Sequence, residues 1–117
     1  MGLSITSNIT SEFNSNNGYI ADMSGWDQIV IQFRSPSGTI SITATNDDGS
    51  ITGSVQGSAL TAANFFTVQA TKLEDGSSVT TVSTNGLYKV LNVGRFVKFG
   101  GSAAAATSVF IEYYKIS

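Results

Sequence analysis

The sequence predicts an all-β protein, a single-domain antiparallel β-sandwich of about eight short strands with jelly-roll-like connectivity. Apolar and polar side chains alternate along several segments, and turn-forming residues recur about every ten residues. The chain has 117 residues and no Cys, so one domain must be held by packing and hydrogen bonds rather than by disulfides. We expect residues 1–117 to form this domain, with 1–25 as an N-terminal arm or as edge strands.

The clearest strand is predicted at 27–34, where apolar side chains fall on one face with a period of two. They are Ile29, Ile31 and Phe33. Residues 39–45 alternate in the same way, and the segment between contains Pro36 and Gly38. Because Pro and Gly favour turns, the two segments are predicted to form an antiparallel hairpin.

Further strands are predicted along the rest of the chain, at 51–55, 65–70, 79–83, 87–91, 95–99 and 108–116. The last is the most apolar, which favours a central strand or one covered on both faces. Helix is nearly absent from the prediction. Only 59–66 and 103–106 suggest one, and the second is expected to be a loop packed on the body. Residues 14–18 are expected to form a long turn.

The composition disfavours several classes of function. Without His or Cys, an enzyme would rely on carboxylates, lysines or hydroxyls, so we expect no enzymatic activity, no catalytic residues and no cofactor. The net charge of -2 argues against nucleic-acid binding, which needs clustered cations. No signal peptide and no apolar stretch of membrane-spanning length are recognisable, so no membrane partner is expected.

The densest group of oxygen ligands is at Asp47 and Asp48, next to Asn46. Such a loop can hold calcium, but the same residues are typical of a tight hairpin turn, which we favour. Two carboxylates at a fixed separation could also act as a glycosidase pair. The acids outside this loop that could join such a site are Asp22, Asp27, Glu74 and Asp75. Nothing in the sequence brings two of them together.

Three aromatic residues are candidates for a ligand-binding or subunit-contact face: Trp26, Tyr19 and Tyr88. A flat ring flanked by polar residues can stack on a sugar, so a glycan is one candidate partner. The alternative places Trp26 in the core as an anchor of the sandwich, and the apolar strand directly after it favours that interpretation.

Charged residues make up only 12% of the chain, and several strands carry Ser and Thr on their outward faces. Monomers usually place charges at about a quarter of their surface positions. Surfaces with few charges are typical of subunit contacts, so we expect a homo-oligomer, with a trimer as the favoured state.

Five segments together resemble small β-sandwich structural proteins of tailed bacteriophages, of the capsid decoration (cement), head-fibre and tail-associated types. They are 27–33, 38–49, 85–90, 94–99 and 106–114, within a region of similarity that covers 26–115. The resemblance implies a non-enzymatic virion protein, made in the host cytoplasm, that binds its own copies and the major capsid or other virion proteins. It carries over no individual functional residue. The alternative is a carbohydrate-binding, lectin-like module, such as a phage host-attachment domain.

Overall fold

The computed structural model describes residues 2–46, 65–91 and 94–116, which form two antiparallel sheets and one short helix. The six-stranded sheet has the order β1-β10-β3-β8-β6-β7, and the four-stranded sheet has the order β2-β9-β4-β5. The elements are β1 (Gly2–Asn8), α1 (Thr10–Asn16), β2 (Gly18–Asp22), β3 (Gln28–Arg34), β4 (Ser41–Thr45), β5 (Phe66–Thr67), β6 (Ala70–Lys72), β7 (Ser78–Val79), β8 (Gly86–Leu91), β9 (Phe96–Gly100) and β10 (Ser108–Ile116).

The strand pairings are nested. β1 pairs with β10, β2 with β9, β3 with β8 and β4 with β5, and successive pairs alternate between the two sheets. The β10–β3 and β9–β4 pairings then complete each sheet. This is the arrangement of a long hairpin rolled into a jelly roll, so the predicted all-β sandwich is confirmed. β6 and β7 extend the six-stranded sheet beyond β8.

The core fills the space between the sheets, with Phe33 of β3 near its centre. Its ring contacts those of Phe13, Tyr88 and Phe99, at centroid distances of 5.4, 6.1 and 6.3 Å. Edge-to-face and tilted geometries of this kind are favourable for aromatic pairs. Ile31, on the same face of β3, is also fully buried. The apolar alternation along β3 therefore predicted its core-facing residues correctly.

The predicted hairpin of 27–34 with 39–45 is wrong, because β3 and β4 lie in different sheets. The Pro-Gly segment between them crosses from one layer to the other. Ser37 bridges to Ala105, and Gly38, at φ +70°, packs against the backbone of Ala103. A chain reversal that exchanges layers has the same turn residues as a hairpin turn, so local composition does not distinguish them.

Within residues 1–25, both strands lie at sheet edges and α1 connects them. The helix was not predicted, and it includes part of the expected 14–18 turn. Its side chains are weak helix formers, and tertiary contacts stabilise it instead. Phe13 is fully buried, and Asn14 exchanges two hydrogen bonds with the backbone of Ala106.

Several other predicted segments match the structure. β8, β9 and β10 lie where strands were expected, and β10 is paired on both edges, as predicted for a central strand. Its outward Phe110 is exposed, so only one face is covered. The predicted 65–70 strand is instead split between β5 and β6, and the 79–83 strand is reduced to β7 and an isolated bridge.

The alanine segment 103–106 is a loop with Ala104 and Ala106 buried, as predicted. The predicted 51–55 strand, most of 59–66 and the turn after Asn46 lie outside the described residues. Within the described residues, no helix is long and apolar enough to span a membrane.

Candidate functional site

The solvent-facing side of the six-stranded sheet, called the outer face below, is built from rows of side chains set by strand register. Asn8 of β1 lies opposite Phe110 of β10, Phe110 lies opposite Gln32 of β3, and Gln32 lies opposite Leu87 of β8. These residues alternate along their strands with core residues, so they point away from the core. A parallel row runs through Thr6, Glu112, Val30, Lys89 and Thr71.

The outer face carries large apolar side chains that remain exposed. Phe110 is 36% exposed, Leu87 42%, Leu73 43% and Leu91 56%. Single exposed apolar residues are common on protein surfaces, but Phe110, Leu87 and Leu73 lie along one row of this face, which is typical of a contact surface. Leu91 lies farther along β8, beyond Lys89. Phe110 and Leu87 are each directly opposite Gln32, which places the two apolar groups on either side of one amide.

An open groove of about 640 Å³ runs along one end of this face, and Leu73, Leu87, Gln32 and Arg34 line it. A smaller depression of about 150 Å³ lies on the Phe110 side and shares Gln32 and Leu87 with the groove. The two are therefore neighbouring parts of one concave surface, called the outer groove below.

Backbone hydrogen bonds fix the walls of the outer groove. β3 ends at Arg34, and Ser35 takes a left-handed conformation with φ 52°. The N–H of Ser35 donates to Oδ1 of Asn85 at 2.6 Å. On the other wall, the N–H of Leu73 donates to the carbonyl of Leu87 at 2.9 Å, which holds the two leucines side by side.

The outer groove thus combines an apolar floor with a polar rim that includes Arg34 and Glu74. Glu74 lies 3.6 Å from the Lys72 ammonium group, and its side chain is 71% exposed. Such a site suits the apolar side chains of another polypeptide, with the charged rim fixing orientation. Its residues include amide, guanidinium and carboxylate groups but no imidazole or thiol.

A second group of partly exposed aromatics, Trp26, Tyr113 and Tyr19, is called the aromatic cluster below. The Trp26 and Tyr113 rings are tilted by 44° with centroids 5.7 Å apart. Tyr113 also forms a side-chain hydrogen bond with Tyr19, and burial followed by the Tyr19 contacts raises the pKa of the Tyr113 phenol. Trp26 and Tyr19 are partly buried and pack against the core. One ring face of Trp26 is therefore occupied by protein.

Tyr88 lies elsewhere and does not join this cluster. It is 1% exposed, and its hydroxyl donates to the Thr84 carbonyl at 2.7 Å. The expectation that Tyr88 lines a ligand or contact face is corrected here, because its ring is part of the core. Its polar end is satisfied locally, as burial of a phenol requires.

The acidic residues considered for catalysis each have a different partner. Asp22 lies 3.7 Å from the Arg95 guanidinium, and Asp27 accepts the N–H of Ile116 at 2.6 Å. Asp75 accepts bonds from the Ser77 hydroxyl and N–H, which lower the pKa of the Asp75 carboxyl. Each of these carboxylates therefore has a local partner in a turn or at the surface, and these contacts do not pair one carboxylate with another.

No group of three or more His, Cys, Asp and Glu side chains is arranged to hold a metal ion among the residues described. The suggested calcium ligands Asp47 and Asp48 lie outside those residues. The sequence alone does not single out the outer groove, although the alternation in β8 and β10 puts Leu87 and Phe110 on the face that points away from the core. The groove depends on the register of β8 and β10 on either side of β3, which the sequence does not reveal.

The fold is shared with a protein of known structure. The SPBc2 prophage-derived protein YomS aligns with a TM-score of 0.65 and 10% sequence identity, covering 100% of this chain and 96% of YomS. No family model matches the sequence, and no curated protein matches it significantly. At this identity the likeness defines the class of fold, a jelly-roll sandwich of the kind that YomS has.

Proposed function

We propose that the protein is a non-enzymatic structural component of a bacteriophage particle, of the decoration or cement type. The exposed apolar outer face is the observation that carries this proposal. Leu73, Leu87, Leu91 and Phe110 are positioned to be covered by a neighbouring subunit. The partners are copies of this chain and the major capsid protein or another virion protein. The place of action is the virion, after synthesis in the host cytoplasm.

Two further observations support the proposal. Jelly rolls recur in viral capsid proteins, and the similar structure YomS comes from a prophage. A fold hosts many functions, so the exposed surface carries the functional argument and the fold only raises its likelihood. The low charge content also supports the proposal, because surfaces with few charges are typical of subunit contacts.

The energetics favour a role that depends on many copies. Fully burying a Leu or Phe side chain contributes about 1.5–3 kcal/mol, and these four side chains are already partly buried. The area still to be buried is equivalent to fewer than two full side chains, so the combined contribution is about 3–5 kcal/mol. That is at the low end of the cost of about 4–15 kcal/mol for bringing two proteins together. A single contact would be weak, whereas repeated contacts across a lattice would add to a stable attachment.

Carbohydrate binding is the second candidate function, and the aromatic cluster is the observation that favours it. Trp26 and Tyr19 are partly exposed and lie close in the chain to Asp22, which pairs with Arg95. A glycan array tests this candidate. Binding that is lost in Trp26→Ala, in a variant that keeps its fold, would support a lectin-like host-attachment role.

The proposed virion role is tested by quantitative mass spectrometry of purified particles from the phage that encodes the chain. We expect the protein at many copies per particle, in a fixed ratio to the major capsid protein. Abundant protein in the lysate of infected cells, together with its absence from purified particles, would contradict the proposal.

A further inference from the structure

β1 is an edge strand of the six-stranded sheet, and all seven of its residues are exposed. Among the described residues, β10 is its only strand partner. Ile5 is 52% exposed and Leu3 59%. Both lie on the side of the sheet that carries the core, since Ile5 is opposite Tyr113 and Ser7 is opposite the buried Ile111. β1 therefore extends beyond the part of the sheet that the second layer covers.

The three other sheet edges in the described part of the chain are short or covered. β5 and β7 have two residues each. β2 has three buried residues out of five, and α1 packs beside it. Short and covered edges resist pairing with other chains, which is how natural sheets avoid unwanted association. β1 differs from them in both length and exposure.

β1 also lacks the features that usually protect an exposed edge. Its sequence from Gly2 to Asn8 contains no Lys, no other charged residue and no Pro. Its register with β10 runs without interruption from Gly2 opposite Ile116 to Asn8 opposite Phe110, so no bulge twists it away. A long, uncharged and regular edge is a template for another strand.

We propose that β1 pairs with β1 of a second copy of this chain, antiparallel and about a two-fold axis at Ile5. The two six-stranded sheets become continuous across the axis. This inference rests on the proposed function, in that it names the surface through which the subunit associates with itself before it meets the particle.

The two-fold register gives favourable cross-strand neighbours at each position. Ile5 lies opposite Ile5 of the partner subunit, and Leu3 lies diagonal to that same residue, which joins four apolar side chains into one row. On the other face, Ser4 lies opposite Thr6 of the partner subunit, and the two hydroxyls can hydrogen-bond. Apolar and Ser/Thr pairs of this kind each contribute to sheet stability.

The lack of charge in β1 is compatible with pairing to a second copy. In antiparallel self-pairing about Ile5, a charged residue at that position would face the same charge, and β1 has none to repel. Directly opposed residues in an antiparallel pair either both point their N–H and C=O groups at the partner strand or both point them away. The two-fold axis must therefore pass between two copies of the same residue. Centring on Ile5 satisfies this condition and uses all seven residues of β1.

The first test is light scattering at several protein concentrations on the wild type, Ile5→Lys and Phe66→Lys. Phe66 is a matched control because it is apolar and 68% exposed but lies on β5, outside both β1 and the outer face. We expect a dimer for the wild type and for Phe66→Lys, and a monomer for Ile5→Lys. A dimer that survives Ile5→Lys, or a wild-type trimer or monomer, would overturn the β1 pairing.

Cysteine cross-linking tests the register directly, because the chain has no native Cys. Directly opposed Cβ atoms are about 4.5–5.5 Å apart, close to the range that a disulfide spans. Under mild oxidation we expect Ile5→Cys to form a covalent dimer on reducing-agent-free gels, and Phe66→Cys to stay monomeric on the same gels. Faster cross-linking of Ser4→Cys than of Ile5→Cys would overturn this register.

The outcomes separate this inference from the proposed function. A monomer in solution that is nevertheless found in purified particles overturns the β1 pairing and leaves the virion role standing. A dimer that cross-links at Ile5→Cys but is absent from particles supports the pairing and contradicts the virion role.

Discussion

Neighbouring residues of β3 face different environments. Ile31 is completely buried between the sheets, whereas Gln32 is half-buried and lines the outer groove. A carboxylate at position 31 would be an unpaired charge in the core, at a cost of several kcal/mol, about 4 or more. We expect Ile31→Asp to unfold the protein and Gln32→Asp to fold with little loss, as measured by circular dichroism during thermal unfolding. Equal stability of the two variants would contradict the assigned faces.

Gly38 and Gly76 share a backbone conformation but differ in the space around them, so substituting each one separates the cost of crowding from the cost of the φ angle. Both have left-handed φ angles, +70° and +76°. A Cβ at Gly38 would overlap the Ala103 carbonyl oxygen, whereas one at Gly76 would meet nothing within 4 Å. We expect Gly76→Ala to cost about 1 kcal/mol from the φ angle alone, and Gly38→Ala at least about 2 kcal/mol more. Urea unfolding of both variants measures the difference, and similar losses would mean that the Ala103 loop adjusts freely.

The phenol of Tyr113 couples stability to alkaline pH. Burial and the contact with Tyr19 hold its pKa above the ordinary value of about 10. Below about pH 10 both the folded and the unfolded chain keep the proton, so the group has no pH-dependent effect there. Above it, the unfolded chain loses the proton first, and the free energy of unfolding falls by up to about 1.4 kcal/mol per pH unit.

We therefore expect Tyr113→Phe to flatten the alkaline loss of stability, measured by urea unfolding between about pH 8 and 11. The difference between the two proteins should be independent of pH on the neutral side of this range. An identical slope for the wild type and Tyr113→Phe above about pH 10 would show that Tyr113 ionises as freely in the folded chain as in the unfolded one.

At the scale of elements, the Asn14 side chain connects α1 to the loop before β10. Nδ2 of Asn14 donates to the Ala106 carbonyl, and the Ala106 N–H donates to Oδ1 of Asn14, both at 2.9 Å. Removing the amide leaves two backbone groups without these partners, at a cost of about 1–3 kcal/mol.

We expect Asn14→Ala to lower the free energy of unfolding by this amount and the exposed neighbour Ser15→Ala to change it by less than about 0.5 kcal/mol. Hydrogen exchange of the Ala106 amide measures the same contact locally, and its protection should fall in Asn14→Ala alone. Unchanged protection would show that another group holds this loop.

The elements differ in how far the sequence predicts them. β3 and β10 have alternating side chains and flanking turn residues, so both their positions and their inward faces were predictable. α1 was not, because its stability comes from Phe13 in the core and from the Asn14 contact rather than from helix propensity. Such contacts join residues far apart in the chain, and no local pattern reports them.

At the scale of the whole molecule, the nested pairing of β1 with β10 and β2 with β9 brings together segments from the two ends of the described chain. The sandwich class follows from the number and spacing of strands, whereas the partners of each strand depend on long-range packing. For this reason the 27–34 and 39–45 segments were correctly predicted as strands and wrongly paired.

The same limit applies to the surfaces. Alternation alone places Leu87 and Phe110 outward, but only the register of β8, β3 and β10 brings them around Gln32. Likewise, the polar β1 segment indicates an edge strand, while its exposure emerges only from the position of the second sheet. Trp26 and Tyr88 were both candidates for an exposed face, but Tyr88 is buried and Trp26 is partly buried against the core. Aromatic composition alone does not distinguish a surface ring from a core ring.

The two exposed surfaces have separate roles in this account. We propose that the outer face binds the particle and that the β1 edge joins two copies.

One binding measurement tests whether the outer face attaches this protein to a virion. Purified wild-type protein, Leu87→Lys and Leu3→Lys would each be mixed with particles from a phage lacking the gene and sedimented together. We predict that the wild type co-sediments at saturable stoichiometry, that Leu87→Lys stays in the supernatant, and that Leu3→Lys still binds but more weakly. Equal binding of the wild type and Leu87→Lys, or no binding by the wild type, would contradict attachment through the outer face.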